Sequence, residues 1–193
     1  MLPAGKPHGK GRSVDGIVKE HPELKEFLID GMEQPVRRPK DEKKQKTAYS
    51  GKKKRHTRKN ILLTNSKDNF VHFLGKTQNG SVHDKKAADQ ESLAFTSDID
   101  IGGDLGFEGF EAGNARIILP AKKPKGKELS DIVKSQNKIF SAIRIRVEHA
   151  VSGVKRSHIA ADIFRNTKPA FADDSVLIAA GLHNFRVRHR FKG

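Results

Sequence analysis

Arg144, Glu148 and Lys155 recur at steps of four and seven residues inside Ser141–Arg156, SAIRIRVEHAVSGVKR. At 3.6 residues per turn those steps place all three on one helical face. Ile143, Val147, Ala150 and Val154 make the adjoining apolar stripe, which a sheet would bury. One acid therefore sits between two cations beside a core-facing seam. Alone, this reads first as a surface ion-pair ladder from Arg144 to Glu148, worth about 0.2–0.5 kcal/mol.

Two aspartates upstream shift that balance. Asp30 closes the apolar run Phe27-Leu28-Ile29 in a stretch, 25–33, that reads as a strand. An acid there is costly to bury unless something offsets its charge, and a metal ion would do so. The bland alternative is a strand-end turn with Gly31. Asp104 follows a short strand in IDIGGDLGF (99–107), flanked by Gly102, Gly103 and Gly106. Strand ends of open α/β sheets are common places for metal or phosphate ligands. Asp98 and Asp100 are nearby decoys.

The elements that must position these acids follow from pattern and punctuation. A short helix capped by Ser13 is expected to run to Lys19. The stretches 54–64 and 70–75, joined by the turn formers 65–69, form with the Asp30 strand a three-stranded antiparallel meander. A helix is expected over 84–91, with Ser81 or Asp84 as its cap. His83 with Asp84 admits a metal pair, but capping by the Asp, with His83 structural or DNA-facing, is the favoured reading. A further strand spans 116–121, a long helix 128–156, and a last helix 173–186 with two acids at its start.

With 193 residues the chain can build one domain with a real core. Residues 1–22 read as a basic flexible arm or linker remnant and 23–193 as the folded domain. Lys and Arg number 38 against 23 acids, a net charge of +15, which suggests a polyanion partner, most simply nucleic acid. Residues 37–59 hold twelve Lys/Arg and two acids, or +10 of that +15. They read as a solvated, phosphate-gripping flap. Tyr49, the only tyrosine, is a candidate for base stacking and equally for a packing role. The absence of cysteine excludes disulfides and thiolate metal sites and suits a reducing cytoplasm. No apolar run of membrane-spanning length and no signal peptide is read.

A mixed sheet with helices packed on it can bring Asp30, Asp104 and Glu148 to one point. Three carboxylates suit Mg²⁺ or Mn²⁺ rather than zinc. Two such ions can serve the attacking and leaving oxygens of a phosphodiester. Spacing alone proves nothing, because these three are picked from 23 acids.

The strings LIDGMEQPVRRPKDEKKQK, YSGKKKRHTRKN, GSVHDKK, DLGFEGF, ILPAKKPKGKELS, IRVEHAVSGVKR and AAGLHNFRV run in order through nearly the whole chain. Together they resemble the DDE endonuclease/transposase domain of bacterial insertion sequences, in the group related to Harbinger transposases. The resemblance implies an α/β, RNase H-like fold, with a mixed sheet flanked by helices, and a two-ion Mg²⁺ (or Mn²⁺) site. Residue by residue it assigns Asp30, Asp104 and Glu148 as catalytic and metal-binding acids. Asp30 is expected to bridge the two ions, with Asp104 and Glu148 each completing one shell. It implies DNA cleavage at element ends and strand transfer by direct 3′-hydroxyl attack. Arg144 and Lys155 match the cations of the family signature. With Arg37, Arg38, Lys52, Lys53, Lys54, Arg55, His56, His83, Lys122 and Lys123 they are the candidate DNA contacts. A cytoplasmic, nucleoid-associated protein, a homodimer on DNA, is the expected setting.

The sequence departs from the family in three ways. Ser141 stands where the broader signature opens with tyrosine, and Met32 where this group often has threonine. No N-terminal helix-turn-helix is read ahead of Asp30, which leaves recognition of specific element ends open. Two rivals stay open: a catalytically decayed basic nucleic-acid binder, and an RNase H-like nuclease of another class.

Overall fold

The structure is a computed structural model describing residues 25–190 apart from 66, 68, 96, 97 and 169. The expected helix over 13–19 and the basic arm lie outside the described residues.

Strand β1 (Glu26–Pro35) is the centre of the sheet. Phe27 and Ile29 point to one face and Leu28 and Met32 to the other, as strand alternation requires, and all four are buried. On one side β1 pairs antiparallel with β3 (Arg55–Asn65). On the other it pairs parallel with β6 (Asp100–Gly102), which pairs parallel with β7 (Arg116–Ile118). The short strands β2 (Tyr49–Ser50), β4 (Val71–Leu74) and β5 (Gln78–Asn79) all pair with β3. The expected meander is therefore present as β1, β3 and β4.

Helices cover both faces. Phe27, Ile29, Ile61, Leu63, Phe107 and Phe110 pack with Ala87 and Ala88 of α2 (Asp84–Asp89). Leu28, Met32 and Leu62 pack on the opposite face with Val147 and Val154 of α3 (Asp131–Lys155) and Val176 and Ala179 of α5 (Phe171–Arg190). A four-residue helix α4 (His158–Ala161) joins these two. This helix-covered mixed sheet is an RNase H-like arrangement.

Three local expectations need correction. The basic flap is not wholly solvated: it contains α1 (Glu42–Ala48), capped by Asp41, which accepts from Lys44 N at 2.8 Å. Its last part enters β3, where Arg58 and Lys59 are buried. Arg58 Nε donates to Gln34 Oε1 at 2.9 Å, Nη2 to Ser175 Oγ at 3.2 Å, and its guanidinium lies 3.4 Å from the Phe164 ring centroid. Next, the stripe of α3 buries Val147, Ala150 and Val154 but leaves Ile143 exposed; in that part of the helix Phe140 is the side chain that meets the sheet, at Gly102. Finally, neither Ser81 nor Asp84 caps α2. His83 holds the cap position with no side-chain bond, since the Asp84 carboxylate is engaged by Lys59.

Candidate active site

Strand register builds the site. In the parallel β1–β6 pair, Phe27 lies opposite Ile101 and Leu28 opposite Gly102. Asp30, in the middle of β1, and Asp104, just past the end of β6, each follow two residues later, so they come side by side on neighbouring chain segments, where spacing is about 4.8 Å. Each carboxylate is held by a glycine amide. Gly31 N donates to Asp30 Oδ1 at 2.8 Å, and Gly106 N donates to Asp104 Oδ1 at 2.8 Å. Burial pushes the Asp30 carboxyl above the usual carboxylate range. The Gly31 amide opposes that shift, the Asp104 charge adds to it, and Arg144 and Lys52 oppose it.

Asp30 shares its strand face with Leu28 and Met32, the face covered by α3. From α3, Arg144 Nη2 reaches within 3.9 Å of Asp104 Oδ2. Arg144 Nε is buried and has no hydrogen-bond partner. From the turn after β2, Lys52 Nζ stands 4.0 Å from the same Asp104 oxygen. Lys155, three turns along α3 from Arg144, is half-buried. Burial lowers its pKa first, then the neighbouring Lys53 charge; Glu33 opposes, Arg55 lowers it further, and Asp30 opposes. Arg144 and Lys155 of one helical stripe thus both act on Asp30.

Glu148 lies on that stripe between them, exposed, its side chain making no ion pair or hydrogen bond to another described residue. Among the described residues no three His, Asp or Glu side chains form a group close enough to hold a metal. The structure brings Asp30 and Asp104 together and leaves Glu148 outside that pair. A half-buried acid pressed by a second acid, with only oxygen donors at hand, fits a hard divalent cation.

The other predicted cations divide into two groups. Lys52, Lys53 and Lys54 are exposed on the turn between β2 and β3, with Lys52 beside Asp104, and Arg55 is exposed at the start of β3. Arg37 and Arg38 are exposed before α1, and Arg38 Nε donates to Gln45 Oε1 at 3.0 Å. His56 is half-buried, edge-on to Tyr49 with ring centroids 5.6 Å apart. His83 is exposed at the start of α2. Lys122 pairs with Glu108 at 2.9 Å and Lys123 with Glu128, so no contact ties either to the acid pair.

Sequence reasoning missed the Lys59–Asp84 pair. Lys59 Nζ donates to Asp84 Oδ1 at 2.6 Å and to Val82 O at 2.8 Å, and lies 3.9 Å from Glu33 Oε1. Thr57 Oγ1 donates to Glu33 Oε2 at 2.6 Å. The available signal was Lys59 itself, since a lysine in a buried strand requires a counter-charge.

A helix-covered mixed sheet with one acid on its central strand and a second just past the neighbouring parallel strand is the framework of an RNase H-like nuclease. The profile of the DDE superfamily endonucleases matches residues 29–184, and the chain belongs to that family. It is 32% identical over 160 residues to the probable transposase for insertion sequence element IS702 of Microchaete diplosiphon, covering 83% of this chain and 56% of that relative. The chain thus spans little more than half of that relative's length. No solved structure gives a significant match. Among the described residues no helix is long and apolar enough to cross a membrane.

Proposed function

We propose that residues 23–193 are the catalytic domain of a transposase that cleaves DNA at element ends and transfers the strand, preceded by a basic arm over 1–22. The observation that carries this reading is the coupled pair Asp30 and Asp104, set side by side and faced by Arg144. Two Mg²⁺ or Mn²⁺ ions, when bound, supply the Lewis acidity that activates an attacking oxygen and stabilises a leaving one. Asp30 and Asp104 would hold them, with Glu148 contributing from α3. Arg144 and Lys52 limit the repulsion between the acids and orient Asp104. Lys53, Lys54, Arg55 and Lys155 present positive charge to the phosphates flanking the cut. Such contacts position the backbone without reading its sequence.

The test is nicking of DNA carrying the element ends, with Mg²⁺, by the wild type and by Asp104→Asn. Wild type is expected to nick and the variant to lose at least a hundredfold. Equal nicking would place the activity elsewhere.

The exposure of Glu148 favours a second reading, a basic nucleic-acid binder that no longer cuts. It requires binding that survives Asp30→Asn, ignores metal and yields no cleavage.

A further inference from the structure

We propose that Asp84 is a positioning residue that sets the separation and direction of the Asp30 and Asp104 carboxylates from behind the sheet; the role rests on the metal-binding reading of that pair.

The two acids have the same support. Each has one oxygen fixed by a glycine amide, Gly31 for Asp30 and Gly106 for Asp104. Gly31 alternates with Asp30 along β1 and faces away from α3. On that rear side stands the Asp84 carboxylate. A Cβ built on Gly31 would lie 2.8 Å from Asp84 Oδ1, and one on Gly106 would lie 3.0 Å from Asp84 Oδ2. One oxygen of a single carboxylate therefore packs against each glycine. The carboxylate joins the two peptides whose amides aim the acids.

This carboxylate is firmly held. Lys59 grips Oδ1 at 2.6 Å, and its own side chain is 6% exposed. Lys59 is in turn fixed by Val82 O, with Glu33 nearby. The ion pair neutralises Asp84, so it adds little repulsion to the acids in front. Its place on the far face, with no metal-holding group of three formed, marks it as a support and not a ligand. The arrangement also explains glycine at position 31. Contacts of this length fall below what a real Cβ tolerates, so any side chain there displaces Asp84 or the strand.

The test is Mn²⁺ binding to the full chain without DNA, followed by electron paramagnetic resonance, with thermal melting alongside. Asp84→Ala is expected to weaken Mn²⁺ binding at least tenfold, and Asp84→Asn, which keeps the shape, by less. Gly31→Ala, which pushes on Asp84 without removing it, is expected to weaken binding too. In the Asp84→Ala background the same methyl has room, so the double variant should bind no worse than Asp84→Ala alone. A folded Asp84→Ala with wild-type affinity overturns the proposal while leaving the acid pair's role intact. If Asp84→Ala does not fold, Gly31→Ala decides, and wild-type affinity there overturns it equally. Failure of the wild type to bind Mn²⁺ removes the metal-site reading and this role with it.

Discussion

The Arg144 guanidinium reaches from α3 to within 3.9 Å of the Asp104 carboxylate, although Glu148 lies one helical turn away. A solvated helix would pair Arg144 with Glu148. Here the cation crosses to another element, because a partly buried acid pair attracts it more strongly than a solvated carboxylate. Glu148 is left exposed and unpaired on the helix.

Arg144→Lys keeps the charge but loses the planar fork. It is expected to reduce DNA nicking about tenfold, a loss near 1.4 kcal/mol, with Mn²⁺ affinity changed by less than threefold. Single-turnover cleavage beside Mn²⁺ titration checks this. Equal losses in both would place Arg144 in metal binding rather than in handling the phosphate.

Asp30→Asn is expected to stabilise the metal-free protein near pH 8. Burial and the Asp104 charge raise the Asp30 pKa when folded. A raised carboxyl contributes stability that is fully present below the unfolded value and lost as pH rises through the folded one. The variant should therefore melt a few degrees higher above that window, as about 1 kcal/mol produces in a chain of this size. The two curves should meet near pH 3–4, around the ordinary carboxyl value. Thermal melts across pH measure the difference. A wild type more stable at pH 8 contradicts the assignment.

Arg58→Met leaves Gln34 Oε1 and Ser175 without their buried donor and removes the cation from the face of Phe164. Burial has already lowered the Arg58 pKa to about 10, against a partial offset by Asp173. The expected loss is on the order of 3 kcal/mol, from stranded polar groups. Urea unfolding reads it directly, and a cost under about 0.5 kcal/mol would show that this network is not what anchors α5 to the sheet.

Gly153→Ala sets helix propensity against packing. Alanine gains about 1 kcal/mol inside a helix. Its Cβ, however, would lie 2.3 Å from His183 Nδ1. His183 cannot easily yield: it is buried, its Nε2 lies 2.9 Å from Asn69 O, and its Nδ1 faces Arg186 Nη2 at 3.1 Å. A net destabilisation of about 1–3 kcal/mol is expected, measured by urea unfolding. A more stable variant would mean that α3 and α5 do not approach this closely.

The local patterns of the chain were sufficient for its main elements. Phe27-Leu28-Ile29 announces a buried strand, and the turn formers after Asn65 announce the return to β4. Ser130 caps α3 by accepting from Val133 N. These signals lie within a few residues of what they specify. The same holds for the alternation that puts Asp30 on one face of β1 and Gly31 on the other.

The register of β1 against β6 was not legible, because its partners lie 74 residues apart, Phe27 against Ile101. Register alone decides that Asp30 and Asp104 emerge together. The fate of the charges was hidden for the same reason. Lys59 reads as one more residue of a basic run, and only burial in β3 makes it demand Asp84. Asp84 reads as a helix cap until a lysine from another strand competes for its oxygens. Residue type and spacing determined which groups are available for chemistry. Tertiary packing decided which of them meet, because desolvation and distance set the strength of every charge pair.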